Sequence, residues 1–161
     1  MGVTGSGKTT VGSRLAAQLG WEFADADQFH PAGNVEKMAR GIALTDADRE
    51  PWLAALRDSI ARWLAAGKNV VLACSVLKEA YRKKLGIGGD VRLVYLKGSY
   101  ELIASRLRAR RGHFATEAIL ADQFAALEEP EDAIVVDGAL SPEEIVAEIR
   151  RKLSQARVSE G

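Results

Sequence analysis

Apolar residues recur along this 161-residue chain in two alternating rhythms. Val11, Leu15 and Leu19 fall at i, i+4 and i+8, a helix stripe that Gly20 can stop. Residues 21–25 then read as a short strand and 34–40 as a short helix ended by Gly41. Trp52, Leu56, Ile60 and Trp63 mark a longer helix with Pro51 in its first turn. The continuous apolar run 69–75 has the signature of a strand buried on both faces. Residues 79–85 form a short basic helix, 91–96 a strand, and Ser99 caps a helix reaching about Arg111. Leu120, Phe124 and Leu127 form another stripe, and 133–136 is the last strand. A final helix opens on a capping box, Ser141-Pro142-Glu143-Glu144, and buries Ile145, Ile149 and Leu153. Strands alternating with helices predict an α/β fold of βαβ units on a parallel sheet.

Composition narrows the class. Lys+Arg and Asp+Glu both number 22, so the basic excess of a nucleic-acid binder is absent and no nucleic-acid partner is expected. No apolar run approaches the roughly 20 residues of a membrane span, so no membrane partner is expected either. No signal-peptide pattern opens the chain, and a single cysteine cannot form an internal disulfide. These features predict a cytoplasmic protein. Cys74, inside an apolar strand, reads as a core residue.

Gly2-Val3-Thr4-Gly5-Ser6-Gly7-Lys8-Thr9 matches G-x-x-x-x-G-K-[ST], the phosphate-binding P-loop. Its glycines let successive backbone N–H groups turn inward onto phosphate oxygens, and the helix that follows adds its positive end. Lys8 reaches the β- and γ-phosphates, and the Thr9 hydroxyl ligates Mg²⁺. The same glycines explain Met-Gly-Val-Thr-Gly-Ser better than an N-myristoylation signal does. A P-loop follows a strand, whereas no strand precedes this one, and an upstream start is the favoured explanation.

Asp25-Ala26-Asp27 closes the second expected strand. If that strand persists to Asp27, alternation sends the two carboxylates to opposite sides, one toward a metal through water and one toward a substrate hydroxyl. The plainer alternative is an Asx turn capping a helix. Lys37, Arg49, Lys78 and Arg82 place cations in the connections. Arg106 and Arg110 lie i, i+4 and lead through Arg111 to Gly112 and His113, the pattern of a phosphate-clamping lid. No Asn-Lys-x-Asp guanine motif is present, which argues against a GTP switch.

Beyond the P-loop, several blocks are more specific: residues 25–38, with His30-Pro31, Asn34 and Lys37-Met38; Leu44-Thr45-Asp46-Ala47-Asp48-Arg49-Glu50-Pro51-Trp52-Leu53; residues 73–82; and Ser105 to Phe114. On these blocks the chain resembles the P-loop gluconokinases, relatives of shikimate and nucleoside monophosphate kinases. The resemblance implies a three-layer αβα kinase fold with a central parallel sheet; the first strand, missing from this sequence, is a departure from it. It implies one domain over 1–155 with a small helical lid near 106–124, followed by a tail at 156–161. It implies ATP and Mg²⁺ as cofactors, ADP as product, D-gluconate as acceptor, and a homodimer, which no sequence feature itself requires. ATP would be held by residues 2–9 with Thr10, Arg106 and Asp137. Gluconate would meet Asp27, His30, Lys37, Arg49, Lys78, Arg82, His113 and Gln123. Lys8, Asp27, Arg110 and Arg111 would be catalytic, and the metal would rest on Thr9 and, through water, on Asp25. The rival readings are a kinase of another small acceptor such as shikimate, and a non-catalytic nucleotide-binding module.

Overall fold

The structure is a computed structural model that describes residues 1–110 and 117–159. α1 spans Lys8–Leu19 and stops at Gly20, which adopts φ 68° and caps the carbonyls of Ala16 and Ala17. β1 (Glu22–Asp25) is shorter than expected: the chain turns at Asp25 into a 3₁₀ segment, Ala26–Phe29. α2 covers Ala32–Ala39. α3 runs Asp46–Ala65, beginning five residues before Pro51 rather than at it. Thr45 and Asp48 form a reciprocal capping box that sets this earlier start, and the proline sits inside the helix.

β2 is Val70–Ala73, α4 Glu79–Lys84, β3 Val94–Lys97, α5 Tyr100–Ala109 and α6 Glu117–Ala126. β4 (Ile134–Asp137) leads to α7, Pro142–Ser159, whose opening box at Ser141 and Glu144 is present as read. α7 runs through the boundary expected near residue 155.

Both strand pairings are parallel, β1 with β2 and β3 with β4. The central sheet is therefore in two halves, and among the described residues no strand precedes the phosphate loop. Between β2 and β3 lies a cavity of about 630 Å³ lined by Val11, Leu15, Val71, Cys74, Val94 and Leu96. Met1 enters at its edge, where the Leu96 N–H donates to the Met1 carbonyl at 3.0 Å.

α1 and α7 pack together on one side, with Val11, Leu15, Val136, Ile145, Val146 and Ile149 between them and the strands. On the other side Trp52, Leu53, Leu56 and Ile60 of α3 bury against Tyr81, Leu85 and Tyr95. A third cluster sets Val3 of the loop against Ile103, Leu107 and Leu120 of α5 and α6. This is the expected αβα layering, and its parallel strands bring the ends of β1 and β2 together beside the loop. Among the described residues no helix is long and apolar enough to cross a membrane.

Candidate active site

Glycine geometry and internal hydrogen bonds set the shape of the phosphate loop. Gly5 and Gly7 adopt φ 76° and 96°, where a side chain is strained, and a Cβ on Gly5 would come within 2.9 Å of Leu107. The Ser6 N–H donates to Val3 O at 3.2 Å. Lys8 Nζ folds back onto the same carbonyl at 2.9 Å. Burial holds the Lys8 ammonium below the usual lysine range, against the opposing pull of Asp27, Cys74 and Asp25. The Ser6 hydroxyl is buried with no hydrogen-bond partner among the described residues. A part-buried cation and an orphaned hydroxyl inside a glycine cradle at a helix N-terminus fit a polyphosphate.

Thr9 Oγ1 donates to Asp25 Oδ2 at 2.9 Å. Asp25 Oδ1 accepts the Asp27 N–H at 3.0 Å, so the carboxylate caps the 3₁₀ turn. The alternation expected for Asp25 and Asp27 is therefore corrected: the strand ends at Asp25, and the Asx turn takes over. One hydroxyl and one carboxylate suit Mg²⁺, which keeps several waters and takes few protein oxygens. Among the described residues no group of three His, Cys, Asp or Glu side chains gathers for a metal.

Asp27 is exposed and is an electrostatic neighbour of both Lys8 and His30. His30 stacks on Trp52 at 4.6 Å between centroids and 9° between planes, and Trp52 Nε1 donates to Ala26 O at 2.8 Å. Asn34 Nδ2 donates to Asp48 O at 2.7 Å and lies 3.3 Å from His30 Nδ1. As acceptor there, Nδ1 leaves the proton on Nε2, consistent with burial lowering the His30 pKa. Lys37 pairs with Asp48 at 2.7 Å. Arg49 bonds Leu44 O at 2.8 Å and lies 3.9 Å from Asp46, which also accepts from Lys78 at 3.2 Å and from the Tyr81 hydroxyl. Those two hydrogen bonds, Tyr81 first and Lys78 second, hold the Asp46 carboxyl below its ordinary pKa. The structure thus brings Lys8, Asp27, His30, Arg49 and Lys78 into one run of interacting side chains between the phosphate loop, α3 and α4.

A glycine cradle at a helix N-terminus thus lies beside a cluster of cationic and hydrogen-bonding side chains. The chain matches the AAA domain family over residues 1–130. It is 44% identical to a probable gluconokinase of Xenopus tropicalis, over 95% of this chain and 93% of that protein. It is 46% identical to the thermoresistant gluconokinase of Escherichia coli, over 85% of this chain and 81% of that one. The solved structure of a gluconokinase from Sinorhizobium meliloti superimposes with a TM-score of 0.87 at 41% identity, covering 97% of this chain and 90% of that one. The chain belongs to the gluconokinase family.

The other residues expected in the site are placed as follows. Arg82 is buried, and its guanidinium donates to the carbonyls of Val76 at 2.9 Å, Leu77 at 3.1 Å and Glu128 at 2.9 Å. It braces the chain after β2, where Val76 holds φ 35°, a strained value for a β-branched residue. Gln123 turns to the phosphate loop and accepts the Thr4 N–H at 2.6 Å. Arg106 is half-buried on α5, but Arg110 lies past the helix end with an extended backbone, so the two do not share a face. Asp137 accepts the Ala139 N–H at 2.9 Å in a turn after β4. Arg111 and His113 lie outside the described residues. Trp52 and Tyr81 organise His30 and Asp46 without having been expected to; the Trp52-to-Ala26 hydrogen bond has no sequence signature, because its partner lies 26 residues away.

Proposed function

We infer that this chain catalyses ATP-dependent phosphorylation of D-gluconate to 6-phospho-D-gluconate. The observation that carries the reading is the placement of Asp27, within electrostatic reach of both the phosphate-loop Lys8 and the acceptor-side His30. The family relationship supports it. In this reading the loop amides and Lys8 hold the ATP phosphates, and Thr9 and Asp25 hold Mg²⁺, Asp25 through water. The bound ion supplies charge neutralisation to the phosphates. Asp27 orients the attacking hydroxyl and takes its proton, while His30 presents its Nε2–H to a second hydroxyl. Arg49 and Lys78 bind the acceptor's carboxylate. Arg82 is set aside from the acceptor site because its donors are already committed to carbonyls. Lid arginines near 106–111 stabilise charge on the transferred phosphoryl group. A homodimer and a cytoplasmic location belong to the same proposal. The test is phosphorus NMR of a reaction holding the full chain, ATP, Mg²⁺ and gluconate: a phosphomonoester on the sugar acid is expected, and ADP release without it would refute the reading.

A further inference from the structure

Resting on that reading, the arrangement around Asp46 carries a second conclusion. Arg49 belongs to α3 and Lys78 caps the start of α4, yet both lie over the Tyr81 ring, at 5.9 and 5.5 Å from its centre. Two cations sharing one ring repel each other, and the anion between them is Asp46, whose Oδ1 takes Lys78 and the Tyr81 hydroxyl with Arg49 at 3.9 Å. A neighbouring acid behaves differently. Asp48 is 19% exposed, uses one oxygen on Lys37 and the other on the Thr45 N–H, and completes the cap of α3. Asp46 is 66% exposed, and that cap is complete without it. Of the two carboxylates, Asp48 is built in, whereas Asp46 can leave its cations without cost to the helix.

We propose that Asp46 is an internal stand-in for the acceptor's carboxylate. It keeps Lys78, Tyr81 and Arg49 converged while no acid occupies the pocket, and it yields them when the sugar acid's carboxylate arrives. The acid binds by exchange, so Asp46 sets acceptor affinity below what the bare cations would give. A neutral sugar brings no charge to exchange and leaves the Asp46 pairs in place.

The test is Asp46→Asn in the full chain, which keeps the size and an oxygen acceptor but removes the charge. KM for gluconate falls about two- to fivefold, the scale of one partly exposed ion pair, with KM for ATP unmoved. Calorimetric Kd for gluconate falls in step. In a Lys78→Met background the same substitution gives less than half that gain, because one of the contested cations is gone. A rise in KM for gluconate, or an undiminished effect in the Lys78→Met background, overturns the proposal and makes Asp46 a plain positioning residue. Thermal melting of each variant separates these results from unfolding, which lowers kcat without a selective change in acceptor KM. Failure of the wild type to phosphorylate gluconate overturns the functional reading itself, a result visible before any variant is made.

Discussion

Replacing Lys8 by Met separates the cost of the active site from its use. Met fills similar space but carries no charge. The ammonium is part-buried, it donates to Val3 O at 2.9 Å, and burial is the largest influence lowering its pKa. A lysine with a depressed folded pKa is harder to keep charged in the folded chain than in the unfolded one. At pH 7, well below the unfolded lysine value of about 10.5, the lowered folded pKa means that the lysine opposes folding, and removing it does not lower stability. The Val3 carbonyl loses a partner but keeps the Ser6 N–H at 3.2 Å. In catalysis the same charge meets developing negative charge on the phosphates. Loss of one preorganised electrostatic group costs about 10²–10³ in rate, or about 2.7–4 kcal/mol. Coupled ADP-release kinetics with gluconate should show that fall for Lys8→Met, while the melting temperature stays level or rises. Near wild-type turnover would refute the assignment of the loop as catalytic. A melting temperature lowered by several degrees would refute the claim that the buried charge opposes folding.

Three further outcomes follow from the site. Asp27→Asn lowers kcat by at least about 10²-fold while ATP binding, measured by calorimetry, stays within a few-fold; equal losses in both would place Asp27 on the metal instead. Arg82→Met strips three carbonyls of their donor and removes about 2–4 kcal/mol of stability, or about 5–15 °C in melting temperature, while the surviving folded enzyme keeps its KM for gluconate. His30, with its pKa lowered by burial, gives stability that is complete above the unfolded value of about 6.5 and is lost as pH falls below it. Melting curves from pH 7.5 to 5.5 should therefore slope downward more in wild type than in His30→Gln.

The parts of the site legible in the sequence are those written locally. The phosphate loop, the Val11-Leu15-Leu19 stripe and the Ser141 box depend on residues within a few positions of one another, and all appear where read. The start of α3 was also written locally, as Thr45 and Asp48, but Pro51 is the louder helix-start signal; two reciprocal cap bonds outweigh the single backbone donor a proline lacks. The strand alternation through Asp25 and Asp27 is absent because a side-chain cap ends the strand two residues early, at Asp25. Arg82 was unreadable for a different reason. Its acceptors, at Val76, Leu77 and Glu128, come together only when the segment after α6 packs on the chain after β2, so a buried brace and a solvated ligand-binding arginine look alike in one dimension. Gln123 is the same case, since its partner Thr4 lies 119 residues away.

The central claim is that a phosphate loop and a cation-lined acceptor pocket together select a sugar acid. The most direct measurement is kcat/KM for gluconate, glucose and shikimate, side by side, under saturating ATP and Mg²⁺. Glucose has no carboxylate to take Arg49 and Lys78 from Asp46 and forgoes those charge-assisted hydrogen bonds, and shikimate presents its carboxylate on a rigid ring. Gluconate should be preferred by about 10³-fold or more over both. Comparable values for gluconate and glucose, or a preference for shikimate, would contradict it.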